Sequence, residues 1–179
     1  MKKTLLVGLL ALGFNTASLA GPIPANLVAK TLKGYAESIG CNFELDRKNI
    51  VEADVDNDGE KEFIVFYFID IGCAGGSGTT RSALAVLRPR DEFHKEDIYI
   101  VPELSEPAAE VKGIPRFVDR IALKNGRIFY RGMIHKEGDP NNFPSVSFES
   151  QLDLIKIEAE IDTHFKKAIY VWKSQEKAY

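Results

Sequence analysis

Apolar positions recur at three- and four-residue spacings through Leu27, Val28, Thr31, Leu32, Tyr35 and Ile39, which is one face of an amphipathic helix. Pro24 suits the first turn of that helix and Gly40 its end. From Phe43 onward the period shortens to that of strands. Ile50 to Val55 runs into the polar turn Asp56-Asn57-Asp58-Gly59, and Phe63 to Ile69 follows as seven successive apolar residues, all β-branched or aromatic. Such a run describes a strand buried on both faces, hence near the centre of its sheet. A glycine-rich loop, Gly72 to Gly78, precedes the strand Ala83 to Leu87, which ends at Pro89. Residues 89–116 are charged and interrupted by prolines, with one short strand candidate at Ile98 to Val101.

The clearest hairpin is Phe117 to Ile134, turning on Asn125-Gly126, the pair preferred in a type I′ turn. In that register Ile121 and Leu123 share a face with Ile128 and Tyr130, an apolar set for the core. The opposite face carries Arg120, Lys124, Arg127, Phe129 and Arg131. Two readings of it stand: a solvated sheet face, or a docking surface for an acidic partner protein. Asp139-Pro140-Asn141-Asn142 is a loop, and Val146 to Leu154 resumes a strand. In the tail, Leu154, Ile157, Ile161, Phe165, Ala168, Ile169 and Trp172 fit a helical stripe, whereas Ile155, Ile157, Ala159 and Ile161 alternate as a strand would; strand is the preferred reading. Together these elements predict an α+β fold, an N-terminal amphipathic helix packed on a twisted, mainly antiparallel β-sheet.

The first twenty residues change the picture of where this fold works. Lys2 and Lys3 form a positive n-region, Leu5 to Phe14 an apolar stretch of about ten residues, and Ser18-Leu19-Ala20 a small-x-small ending. That is the form of a secretory signal peptide, and it is too short to span a bilayer, which takes roughly twenty apolar residues. The mature chain is expected to begin at Gly21, to be one globular domain over 21–179, and to reside in the periplasm or outside the cell. Removing Lys2 and Lys3 from the 23 basic residues leaves 21 against 26 acidic ones, a net of −5. An acidic chain disfavours general nucleic-acid binding, and no later segment is apolar enough to predict a membrane span. The two cysteines, Cys41 and Cys73, are expected to pair in an oxidising compartment; no Cys-x-x-Cys spacing points to redox chemistry.

The strongest chemical signal is Asp54-Val55-Asp56-Asn57-Asp58-Gly59-Glu60-Lys61-Glu62. Carboxylates at alternate positions of a tight loop converge, and the hard oxygens of Asp54, Asp56, Asp58, Glu60 and Glu62 make a candidate calcium site. It is not an EF-hand, because Val65 stands where the bidentate Glu belongs and strands flank the loop. The other reading is a polar turn whose carboxylates cap backbone amides. The nine residues look like the Asp-x-Asp-x-Asp-Gly-x-x-Asp loops of integrin-type β-repeat proteins, with Glu62 in place of the last Asp.

A broader resemblance rests on that turn, its apolar strand, the glycine-rich loop before Ala83-Leu84-Ala85-Val86-Leu87, and Asp139-Pro140 followed by Pro144-Ser145. In this order, over about residues 50–155, they resemble a group of small, largely uncharacterised exported bacterial proteins. Members often carry a cysteine pair just before the Pro-Ser; here Asn142 and Phe143 stand there. The resemblance implies an α+β fold in the periplasm and supplies no activity.

Enzyme signatures are weak. Ala74-Gly75-Gly76-Ser77-Gly78 has neither the Gly-x-Ser-x-Gly frame of a nucleophile elbow nor the Gly-Lys-Ser/Thr ending of a phosphate loop. His94, His135 and His164 lack zinc-ligand spacing. The expectation is therefore a non-enzymatic exported binding protein, such as an inhibitor or immunity protein against an envelope or periplasmic partner. The alternatives are an assembly accessory of the envelope with a stabilising calcium ion, or a hydrolase with an unrecognised site.

Overall fold

A computed structural model describes residues 25–175 apart from 76–77, 92–93, 95, 108, 142 and 163–164; for 110, 158–162 and 165–168 it describes the backbone only. The leader, Gly21, Pro24 and Asn142 lie outside the described residues. The fold is α+β: the described residues form one α-helix and ten strands in two sheets. Helix α1 (Ala25–Ile39) is followed by β1 (Gly40–Glu44), a short 3-10 turn, and β2 (Ile50–Ala53). Then come β3 (Glu62–Ile71), β4 (Thr80–Pro89), β5 (Ile98–Ile100), β6 (Glu110–Lys112), β7 (Phe117–Lys124), β8 (Arg127–Ile134), β9 (Val146–Asp162) and β10 (Phe165–Gln175).

The first sheet, sheet A, is built on β3. One edge of β3 holds β1 beside its end and β2 beside its start, and the other edge holds β4 over its full length, with β5 beyond. Both faces of this sheet are covered, which is why its central strands are apolar without alternation. On one side Val65, Tyr67, Ile69, Ala83 and Ala85 pack against Val28, Leu32 and Ala36 of the helix. On the other, Ile64, Phe66, Leu84 and Val86 meet Ile121, Tyr130, Leu152 and Trp172 of the second sheet.

The second sheet, sheet B, has the order β6-β10-β9-β8-β7, antiparallel except for the parallel pair β6–β10. Its inner face completes the core. On its outer face Arg120, Lys124, Arg127 and Arg131 of β7 and β8 are exposed.

Two local features hold the frame in register. Asn125 and Gly126 adopt φ of 52° and 74°, the left-handed pair a type I′ turn requires, and this sets Ile121 opposite Tyr130 and Leu123 opposite Ile128. At the exit of α1, a Cβ on Gly40 would come within 2.6 Å of the Asp70 carbonyl, so only glycine lets β1 lie against β3 there. Cys41, the next residue, is bonded to Cys73 with a Cα–Cα distance of 5.1 Å and a sequence separation of 32. The bond staples the helix exit to the loop after β3. Reducing it is expected to lower stability by about 2–4 kcal/mol on the chain-entropy account of loop closure, read from urea unfolding with and without reductant. A transition indifferent to reductant would show that the staple constrains nothing.

Candidate functional site

The acidic loop Asp54–Lys61 connects β2 to β3 and folds over the end of β4. Asp54, Asp56 and Asp58 each bring a carboxylate oxygen to within 4.8 Å of the others, a group able to hold a metal ion. Their partners are uneven. Asp54 accepts from the Gly59 amide at 3.1 Å and Asp58 from the Glu60 amide at 2.9 Å, the short-range caps of an acidic turn. Asp56 gives one oxygen to Arg88, while its Oδ1 is buried without a partner.

Arg88 is the residue that sequence reasoning missed. It is the penultimate residue of β4, and continuing the register from Phe63↔Leu87 places it opposite Glu62. Its guanidinium lies 2.6 Å from Glu62, 2.8 Å from Asp56 and 3.1 Å from Asp58. Glu62, whose side chain is fully buried, also accepts from the Val55 amide at 2.9 Å. It is therefore turned into the protein, and with exposed Glu60 it stands outside the converging group of three aspartates. Burial pushes the Glu62 carboxyl above its ordinary value, against the downward pull of the Val55 amide and Arg88. Arg88 is held more firmly protonated by Glu62 and Asp56, which outweigh its own desolvation. The loop thus carries a tethered cation of its own, and Asp54 is the one of the three aspartates that Arg88 does not touch.

The predicted basic set lies together on the outer face of sheet B. Arg120 stands opposite Arg131, Ala122 opposite Phe129 and Lys124 opposite Arg127. Arg120, Lys124, Phe129, Arg131 and Glu149 line a shallow hollow of about 170 Å³. Two of the four cations are already countered: Lys124 is 2.7 Å from Glu149 and Arg131 is 2.9 Å from Asp119. Lys124 also sits 5.1 Å above the Phe129 ring. Arg127 reaches only the neutral Gln151, at 3.5 Å. Among the described residues, Arg120 and Arg127 have no carboxylate partner.

No family model, curated protein or solved structure matches this chain. The site must therefore be read from its own geometry.

Two other polar places were not expected from sequence. Under α1, Glu106 is held by Arg81 at 2.5 Å and by the Leu84 amide at 3.3 Å, and its carbonyl accepts from the Tyr35 hydroxyl. The Tyr67 hydroxyl, pushed up by burial, lies within the fold without a partner. This cluster ties the helix and the 101–109 segment to sheet A. Beside the β1–β2 connection, a wide groove of about 530 Å³ runs over Phe68 between Asp46 and Asp119. Of its ionic groups, Asp46 is paired with Lys48 and Asp119 with Arg131, while Glu44 and Arg47, of opposite sign, also line it. Among the described residues, no helix is long and apolar enough to cross a membrane. That and the disulfide are compatible with an exported protein.

Proposed function

We propose that the protein is an exported, non-enzymatic binding protein that engages an acidic protein partner through the outer face of sheet B, in the manner of an inhibitor or immunity protein. The observation that supports this reading is the contrast between the sheets. Sheet A is covered on both faces, whereas the outer face of sheet B exposes Arg120, Lys124, Arg127 and Arg131 around half-buried Phe129. Arginine and aromatic side chains are the types enriched where binding energy concentrates. Arg120 and Arg127, which have no carboxylate partner among the described residues, supply the net attraction.

The test is capture of the partner from periplasmic extract, followed by association kinetics with Arg120→Glu combined with Arg127→Glu. The double variant is expected to associate about tenfold more slowly at low salt and to lose most of the salt dependence. Both residues are exposed, so the melting temperature stays within a degree or so. Equal rates at every salt concentration would leave the face merely solvated.

A second reading is favoured by the converging aspartates: a calcium ion bound by Asp54, Asp56 and Asp58 that stabilises an envelope accessory. Carboxylate oxygens suit calcium, and the unpartnered Asp56 Oδ1 leaves a ligand to spare. Arg88 competes with the ion for Asp56 and Asp58. Calcium is thus expected to raise the melting temperature by mass action on the folded state, and Asp54→Asn with Asp56→Asn to abolish the rise. A melting curve identical in calcium and in chelator would mean that Arg88 alone neutralises the loop.

A further inference from the structure

Strand β9 outruns its sheet. Its pairing with β8 ends at Leu152, opposite Ile128, and its pairing with β10 continues to Asp162. From Leu154 onward β9 therefore has β10 on one side and no described strand on the other. β10 in turn meets β6 only at Val171–Lys173. The result is a two-stranded ribbon, an arrangement marginal in water by itself. Its free edge has no proline, one of the guards against pairing, and its guarding charges, Lys156 and Glu158 among them, are of both signs. Ile157 stands opposite Ile169, and Ile155, Ile157 and Ile169 are 40%, 46% and 41% exposed on one face.

We infer that the free β9 edge pairs antiparallel with the same edge of a second copy, with Ile157 at the two-fold axis. Symmetry makes the register decidable. Neighbouring pairs in an antiparallel ladder alternate in type, so an axis between two pairs would equate unlike pairs, and one residue must oppose itself. Placing Asp153, Lys156, Glu158, Glu160 or Asp162 on the axis sets like charges face to face. Ala159 on the axis opposes Glu158 to Glu160, and Ile161 opposes Glu160 to Asp162. Leu154 on the axis opposes Asp153 to Ile155, and Ile155 opposes Leu154 to Lys156. Ile157 alone sets Lys156 opposite Glu158 of the second copy, twice by symmetry, with Ile155 facing Ala159 and Ile157 facing itself; one pair farther out Leu154 meets Glu160, and the match ends there. The match covers residues 155–159 and joins the exposed isoleucines of both copies into one apolar patch. Opposite charges and aliphatic pairs directly across a ladder both stabilise it. This pairing stands independently of the partner proposed for the basic face.

The test is sedimentation of the full chain over a dilution series. The wild type is expected to be a dimer that dissociates on dilution. Lys156→Glu and Glu158→Lys, made singly, each oppose two like charges and are expected to raise the dimer dissociation constant about tenfold or more. The combined variant Lys156→Glu/Glu158→Lys restores both pairs with the charges exchanged and should recover the wild-type constant, which also shows that the singles did not fail by misfolding. A wild type that stays monomeric at every concentration, single variants as dimeric as the wild type, or a combined variant no better than the singles would each overturn the inference.

Discussion

Replacing Arg88 with methionine is expected to cost about 3–5 kcal/mol, because it strips the partner from a carboxylate that has no route to water. Glu62 is fully buried, at 0% exposure, and Asp56 is half-buried, at 19%. The loss should depend on its neighbour: Arg88→Met combined with Glu62→Leu removes the stranded charge together with its partner, and is expected to recover much of the deficit. The pH dependence has a definite sign. Glu62 already titrates above its ordinary value in the folded protein, and losing Arg88 raises it further. A carboxyl raised on folding favours the folded state below its unfolded pKa, and that advantage disappears as pH rises through the folded one. Arg88→Met should therefore be least damaging near pH 3, about one unit below the ordinary glutamate value, where Glu62 is protonated in either state, and most damaging near pH 7. Denaturant unfolding of the three proteins at the two pH values measures this directly. A uniform, small deficit at both would mean that Arg88 is screened and the knot is ornamental.

The second large effect falls within the core between the sheets. Trp172 on β10 is completely buried between the sheets, and its indole N–H donates to the Leu104 carbonyl at 2.8 Å. Trp172→Ala should cost about 3–5 kcal/mol, from lost burial plus the cavity left behind. Trp172→Phe keeps most of the ring but orphans the Leu104 carbonyl, and is expected to cost about 1–3 kcal/mol. The gap between the two variants separates packing from hydrogen bonding. Calorimetric unfolding of both, against the wild type, gives each part; equal losses would assign the whole effect to the Leu104 contact.

What was legible in the chain follows from which forces act locally. The Asn125-Gly126 turn and period-two alternation together specify the β7–β8 register, because a slip by one residue would turn every apolar side chain outward. The unbroken run Phe63–Ile69 announced a strand covered on both faces, and both covers are present, the helix and sheet B. Export logic pointed to the Cys41–Cys73 bond, which is formed. The division into two sheets was not legible: alternation tells which residues of a strand are buried, not which sheet buries them. The ambiguous stretch after Leu154 forms strand, and its mixed periodicity matches a ribbon whose isoleucines Ile155, Ile157 and Ile169 face outward. Arg88 escaped notice because its partners Asp56 and Glu62 are 32 and 26 residues away in sequence. A signal was nevertheless present: pairing the two central strands residue by residue sets Arg88 against Glu62, next to the run of apolar pairs from Phe63↔Leu87 to Tyr67↔Ala83. The carboxylates that counter two cations of the basic face, Asp119 and Glu149, come from a bulged position on β7 and from β9, which the alternation within the hairpin does not reveal.

The central claim is that a partner docks on the outer face of sheet B. A photo-crosslinking amino acid placed at Phe129, in the protein as its producing cell exports it, tests this most directly. The expected result is a discrete adduct from position 129 that is lost when Arg120 and Arg127 are both glutamate, with no such adduct from position 33 on the exposed side of α1. No adduct from position 129, or the same adduct in the double glutamate variant, would contradict it.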